Sequence, residues 1–159
     1  MRVSPLDLLV ALVVIALLAF AVVHLPSGGS AEPAVLASQA LTPGSLNPDV
    51  TQTTIEQTIC VKGWTATVRP PASYTSALKV EQMQAYGETG SPSDYQEDHL
   101  ISLELGGNPT DPKNLWPEPN PRATDVDKVE NELNAKVCSG KLTLEEGRSQ
   151  ESALKHEHG

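Results

Sequence analysis

Asp98-His99, Asn114 and the pair Asp127/Asn131 are the residues of this chain whose types and spacing suit chemistry. Imidazole titrates close to neutral pH, so His99 is the candidate general base, able to take a proton from water under ordinary conditions. On an ideal strand its neighbour Asp98 projects to the opposite face, which suits a metal ligand set apart from the base. Asp127 and Asn131 lie four residues apart and share a helix face, with Glu130 as an alternate donor beside them. Oxygen donors with a single histidine favour a hard divalent cation, Mg²⁺ or Mn²⁺ foremost and Ca²⁺ among the candidates, over Zn²⁺.

Each group also has a purely structural reading. An Asp-His pair can cap a turn or form a surface ion pair, and Asn114 can simply hold a turn. Asp125, Asp127 and Glu130 favour the N-terminal turns of a helix through its dipole. Trp116 suits a core position better than a base-stacking platform. His156 and His158 flank Glu157 in a tail, where a solvated terminus is the expectation.

The elements that must position these residues follow from the pattern of the chain. Leu8 to Val23 is an unbroken apolar run of sixteen residues behind a short segment whose side-chain cation is Arg2. A secretory core runs to roughly 15 residues and a spanning helix starts at about 17, so length leaves signal peptide and membrane anchor both open for residues 1–25. Gly29/Ala31 and Val35/Ala37 offer small-residue cleavage positions. Residues 26–41 are rich in Pro, Gly, Ser and Ala and read as a flexible linker, so the folded domain spans 42–159. Pro48-Asp49-Val50-Thr51 opens a short helical segment towards Thr58, and Gly63 to Val68 has strand-like content that Pro70-Pro71 ends. A helix is expected over Ser76 to Tyr86, closed by Gly87. Extended runs are expected on either side of a Gly- and Pro-containing connection, from Asp98 towards Gly107 and again around Asn114 to Glu118. Val126, Val129, Leu133 and Val137 recur at helical spacing, with Gly140 as the stop, and Thr143-Leu144-Glu145-Glu146 is a capping box for a last, less apolar helix.

Strand, loop, strand and helix, carrying Asp98-His99, Gly106-Gly107 and Asn114-Leu115, resemble the ββα-metal finger of HNH nucleases over about residues 97–137. Thr42-Pro43-Gly44, Thr58-Ile59-Cys60, Thr67-Val68-Arg69-Pro70-Pro71, Glu97-Asp98-His99-Leu100, Asn114-Leu115-Trp116-Pro117 and Val137-Cys138-Ser139-Gly140 extend the resemblance to a family of small exported HNH-like bacterial proteins. It implies a small single-domain α+β fold, a ββα finger plus flanking helices, and metal-dependent hydrolysis of phosphodiester bonds in nucleic acid. In that scheme His99 activates water and Asn114 braces the loop that presents it. Asp98, Asp127 and Asn131, or Glu130, hold the metal. Arg69, Lys113, Arg122 and Lys128 are the cations available to phosphate. The helix departs from the family pattern: no further His follows His99 before the tail, and Val126 stands where the family carries a Lys.

Export places Cys60 and Cys138 in an oxidising compartment, where two thiols allow one intramolecular disulfide. Closing so long a loop is worth on the order of 4 kcal/mol in the chain-entropy model. The protein is expected to be secreted or anchored to the outer face of the cytoplasmic membrane through its N-terminal segment, with no organic cofactor. Twenty acidic residues against 11 basic ones, a net charge of -9, exclude a protein that coats nucleic acid through a basic surface. They make nucleic-acid binding weak, salt-sensitive and not sequence-specific. Two other classes accommodate the same residues: an inactive HNH-like binding module at the cell surface, and an envelope protein that holds a divalent cation without turnover.

Overall fold

The protein is described by a computed structural model that covers residues 36–157; the signal or anchor segment, most of the linker and His158 lie outside the described residues. It is a small mixed α+β domain. Strands β1 (Tyr95–His99) and β2 (Leu115–Pro119) pair antiparallel, with Asp98 opposite Trp116 and His99 opposite Leu115. Around them lie helices α1 (Trp64–Val68), α2 (Ala72–Tyr86), α3 (Asn120–Cys138) and α4 (Leu144–Glu157). In a sheet of two strands each strand is an edge, which is why β2 tolerates Pro117 and Pro119.

Local signals set most helix ends. Pro71 precedes α2 and Gly87, at φ 74°, closes it, its N–H bonding the Gln84 carbonyl. Pro121 stands in the first turn of α3, which starts at Asn120, five residues ahead of Asp125, where the apolar periodicity begins. The capping box forms at α4: the Glu146 N–H donates to Thr143 Oγ1 and the Thr143 N–H donates to Glu146 Oε2 at 2.8 Å.

Four expectations change. Gly63 to Val68 is not a strand: Gly63 turns the chain at φ 85° and Trp64–Val68 winds into α1. A β-branched run with no partner strand has no ladder to join, whereas a helical turn lets Trp64 pack on the core beside Cys60. The extended run from Asp98 stops at once, so Asp98-His99 end β1 rather than begin it. Leu100, Ile101, Leu103 and Leu105 are all buried, a demand that strand alternation cannot meet; the chain bends and makes a 3-10 turn over Leu103–Leu105. Well-packed structure begins inside the expected linker, at Ala37, whose N–H bonds the Lys155 carbonyl at 3.0 Å. His156 belongs to the same junction, its Nδ1 lying 2.8 Å from the Ala37 carbonyl, so it is not a solvated tail residue. The segment before Cys60 forms turns and one 3-10 helix, Ile55–Gln57.

The disulfide Cys60–Cys138 is present and ties the start of the domain to the end of α3. Beside it the main core gathers Val50, Ile55, Ile59, Ile101, Leu105, Leu133, Val137 and Leu144. A smaller cluster joins Ala37, Leu100 and the fully buried Trp116, with Tyr86 against it. Between these clusters runs the loop from Leu100 to Asn114, and Gly107 is what lets it close: a Cβ there would overlap the Ile101 carbonyl.

Candidate functional site

A cleft of about 50 Å³ opens at the end of β1 and is lined by Arg69, Gln96, Asp98, His99, Ser102, Leu103, Glu104, Asp127 and Glu130. His99 reaches it from the last position of β1. Its Nε2 lies 3.1 Å from the Pro109 carbonyl, which can only accept, so Nε2 carries the ring proton. Burial holds the imidazole below its ordinary pKa, against the Pro109 bond and the Asp98 charge that favour protonation. The ring is therefore neutral at pH 7, with a lone pair on Nδ1.

Asn114 sets the geometry of that bond. It is fully buried at the end of the 3-10 turn Pro112–Asn114, just ahead of β2. Its Oδ1 accepts from the Ile101 N–H, and its Nδ2 donates to the carbonyls of Ile101 and Asn108, all at 3.0 Å. One side chain thus pins both limbs of the loop whose Pro109 carbonyl holds His99.

Asp98 faces a different partner from the one expected. Its Oδ2 lies 2.8 Å from Nζ of Lys155, a residue that the sequence pattern left unremarked. The same ammonium donates to Glu130 Oε1 and to the His99 carbonyl, each at 2.5 Å, and lies 3.5 Å from Glu151 Oε1. Burial works against the charge on Lys155, but Asp98, Glu130 and Glu151 together raise its pKa well above the usual lysine value. Burial likewise works to raise Asp98, yet Lys155 holds it below the usual carboxylate range. The carboxyl of Glu130 is pushed up to about 9 by burial, more than Lys155 pulls it down. Glu118, in β2, is pushed up to about 8, by burial first and then by the neighbouring Asp98 charge.

The remaining candidates divide. Arg69 and Asp127 line the cleft, and with them Glu104, whose carboxyl burial raises although Arg69 lowers it. Asn131 does not line it; the residue is exposed and its Nδ2 donates to the Asp127 carbonyl at 2.6 Å. Arg122 is drawn to Glu118 and to the Leu154 carbonyl at 3.0 Å, and its guanidinium lies 5.5 Å from the Trp116 ring centroid. Lys128 pairs with Asp125 at 2.7 Å on the exposed side of α3, and Lys113 is exposed on the turn before β2. Among the described residues, no group of three or more His, Cys, Asp or Glu side chains is arranged to hold a metal ion.

Lys155, Glu151, Glu118 and Glu104 are the residues of this region that sequence reasoning missed. A faint signal exists for the first two. Leu144, Gly147, Glu151 and Lys155 recur at spacings of three and four and form the buried stripe of α4, but half of that stripe is charged and does not register as apolar. No family model, no curated protein and no solved structure matches this chain.

Proposed function

We propose that the domain is an exported or membrane-anchored HNH-like phosphodiester hydrolase that acts on nucleic acid, with His99 as general base. The observation that carries this reading is the bond from His99 Nε2 to the Pro109 carbonyl: it leaves the ring lone pair on Nδ1, in a residue that lines one cleft with Arg69. In the reaction, Nδ1 takes a proton from water and the water oxygen bonds to phosphorus. The bond from phosphorus to the leaving oxygen breaks, and that oxygen takes up a proton from solvent. The Arg69 guanidinium binds the phosphoryl oxygens through charge-assisted hydrogen bonds. Asn114 is a positioning residue that acts through the loop.

A divalent ion, when bound, supplies further charge stabilisation at the phosphate. The donors named from sequence do not fit one as they stand, because Asp98 and Glu130 direct their oxygens to Lys155 and Asn131 lies off the cleft. The net charge of -9 limits the protein to weak, salt-sensitive contacts with long polyanions.

The test incubates the purified full chain with plasmid, single-stranded DNA and RNA in Mg²⁺, Mn²⁺ or EDTA. Cleavage is expected, with a loss of about 10²- to 10⁴-fold in His99→Ala. Cleavage that persists undiminished in that variant, or that appears in none of the conditions, overturns the proposal.

A further inference from the structure

Lys155 has no solvent exposure, a rare state for lysine, and it sits on the last turns of α4, the less apolar helix at the end of the chain. Its ammonium is surrounded by four oxygens from three elements: Asp98 Oδ2 and the His99 carbonyl from β1, Glu130 Oε1 from α3 and Glu151 Oε1 from α4. Three carboxyl groups and a backbone carbonyl are oxygen donors of the kind a hard divalent cation takes, but with Lys155 seated among them they are not arranged as a metal group. Here the chain supplies the cation itself. Asp98, His99 and Glu130 also line the cleft, so the cage and the candidate site share a wall.

We infer that Lys155 is the resident cation of this site. It is a positioning residue that fixes the Asp98 carboxylate and the His99 carbonyl, and it fills the place that a divalent ion would otherwise take between Asp98 and Glu130. The consequence for hydrolysis rests on the proposed function, whereas the occupancy of the cage does not. In the wild-type protein Asp98 and Glu130 therefore do not take up a divalent ion. Shortening Lys155 vacates a four-oxygen cavity that does.

The test uses the full chain as wild type, Asp98→Asn, Lys155→Ala and the double variant Lys155→Ala/Asp98→Asn. Mn²⁺ binding is followed by electron paramagnetic resonance, and thermal unfolding is measured in EDTA and in millimolar Mn²⁺. Lys155→Ala is expected to lose stability in EDTA, to regain part of it in Mn²⁺, and to bind Mn²⁺ at least about tenfold more tightly than wild type, the gain vanishing in the double variant. Wild type and Asp98→Asn are expected to bind Mn²⁺ equally, with the Lys155 side-chain resonances unbroadened in wild type. Wild-type Mn²⁺ binding that depends on Asp98, or Lys155→Ala as stable as wild type in EDTA, overturns the inference. Should Lys155→Ala fail to fold, the comparison of wild type with Asp98→Asn decides alone. Hydrolysis is followed in parallel with and without EDTA: its absence counts against the proposed function, while the inference about Lys155 stands or falls on Mn²⁺ binding.

Discussion

Replacing Asn114 by Ala removes its three 3.0 Å hydrogen bonds, together with a longer fourth that its Oδ1 accepts from the Ser45 N–H at 3.5 Å, and leaves the N–H and C=O of Ile101 and the C=O of Asn108 without that partner in a loop that closes tightly at Gly107. Each net hydrogen bond is worth about 1 kcal/mol, and each buried orphan costs about 1–3 kcal/mol. Both groups of Ile101 are buried with Asn114, while the Asn108 carbonyl lies nearer the surface, where water can replace the amide. A loss of about 3–5 kcal/mol follows. In a domain of this size that amounts to a drop in Tm on the order of 10–20 °C. The assay is thermal and urea unfolding followed by circular dichroism, with the exposed Lys113→Ala on the same turn as the control. A cost below about 1 kcal/mol would refute the reasoning, since it would mean that Asn114 does not clamp the loop. The same substitution frees the Pro109 carbonyl to move, so the proposed hydrolysis, if found, is expected to fall by a larger factor than the folded fraction does.

Opening the Cys60–Cys138 bridge by a double Ser substitution is expected to cost about 2–5 kcal/mol, read from urea unfolding, and non-reducing mass spectrometry of the purified full chain should find the two cysteines linked. Both carboxyl oxygens of Glu97 are buried without a hydrogen-bond partner, and burial, opposed by Lys79 and reinforced by Asp98, pushes its pKa up to about 8. A carboxyl raised on folding contributes stability that is fully present below its unfolded pKa and lost as pH rises through the folded value. Glu97→Gln should therefore flatten the decline in stability between about pH 4.5 and 8 and be the more stable protein above it, as checked by Tm against pH. If hydrolysis is found, its rate should plateau by neutral pH and decline only in acid, because burial holds the His99 imidazole below its ordinary value; an acid limb centred above 7 would contradict a neutral ring at pH 7.

What could be read in advance follows the range over which each signal acts. Gly87, Gly140 and the Thr143/Glu146 box are local punctuation, and each does in the fold what its residue type implies. The cysteine pairing was legible because two thiols leave one choice. Gly63 to Val68 departs from its pattern because β-propensity describes how a side chain fits a sheet, and among the described residues no strand pairs with this run to provide one. The expected extended run after His99 failed for a related reason. Its apolar residues are consecutive, and consecutive burial is met by curling the chain between two cores rather than by extending it.

The sequence by itself determined the covalent and local features: the disulfide, the helix stops, the capping box, and the placement of His99 and Asn114 on either side of one loop. Only the tertiary structure decided which charges meet. Asp98, Glu130 and Glu151 are separated along the chain by tens of residues, and the ammonium that joins them comes from a helix whose buried stripe is half polar. Hydrophobic periodicity reports faces that avoid water and cannot register a charge buried because its partners are buried with it. The partner of Asp98 is for that reason a property of the fold.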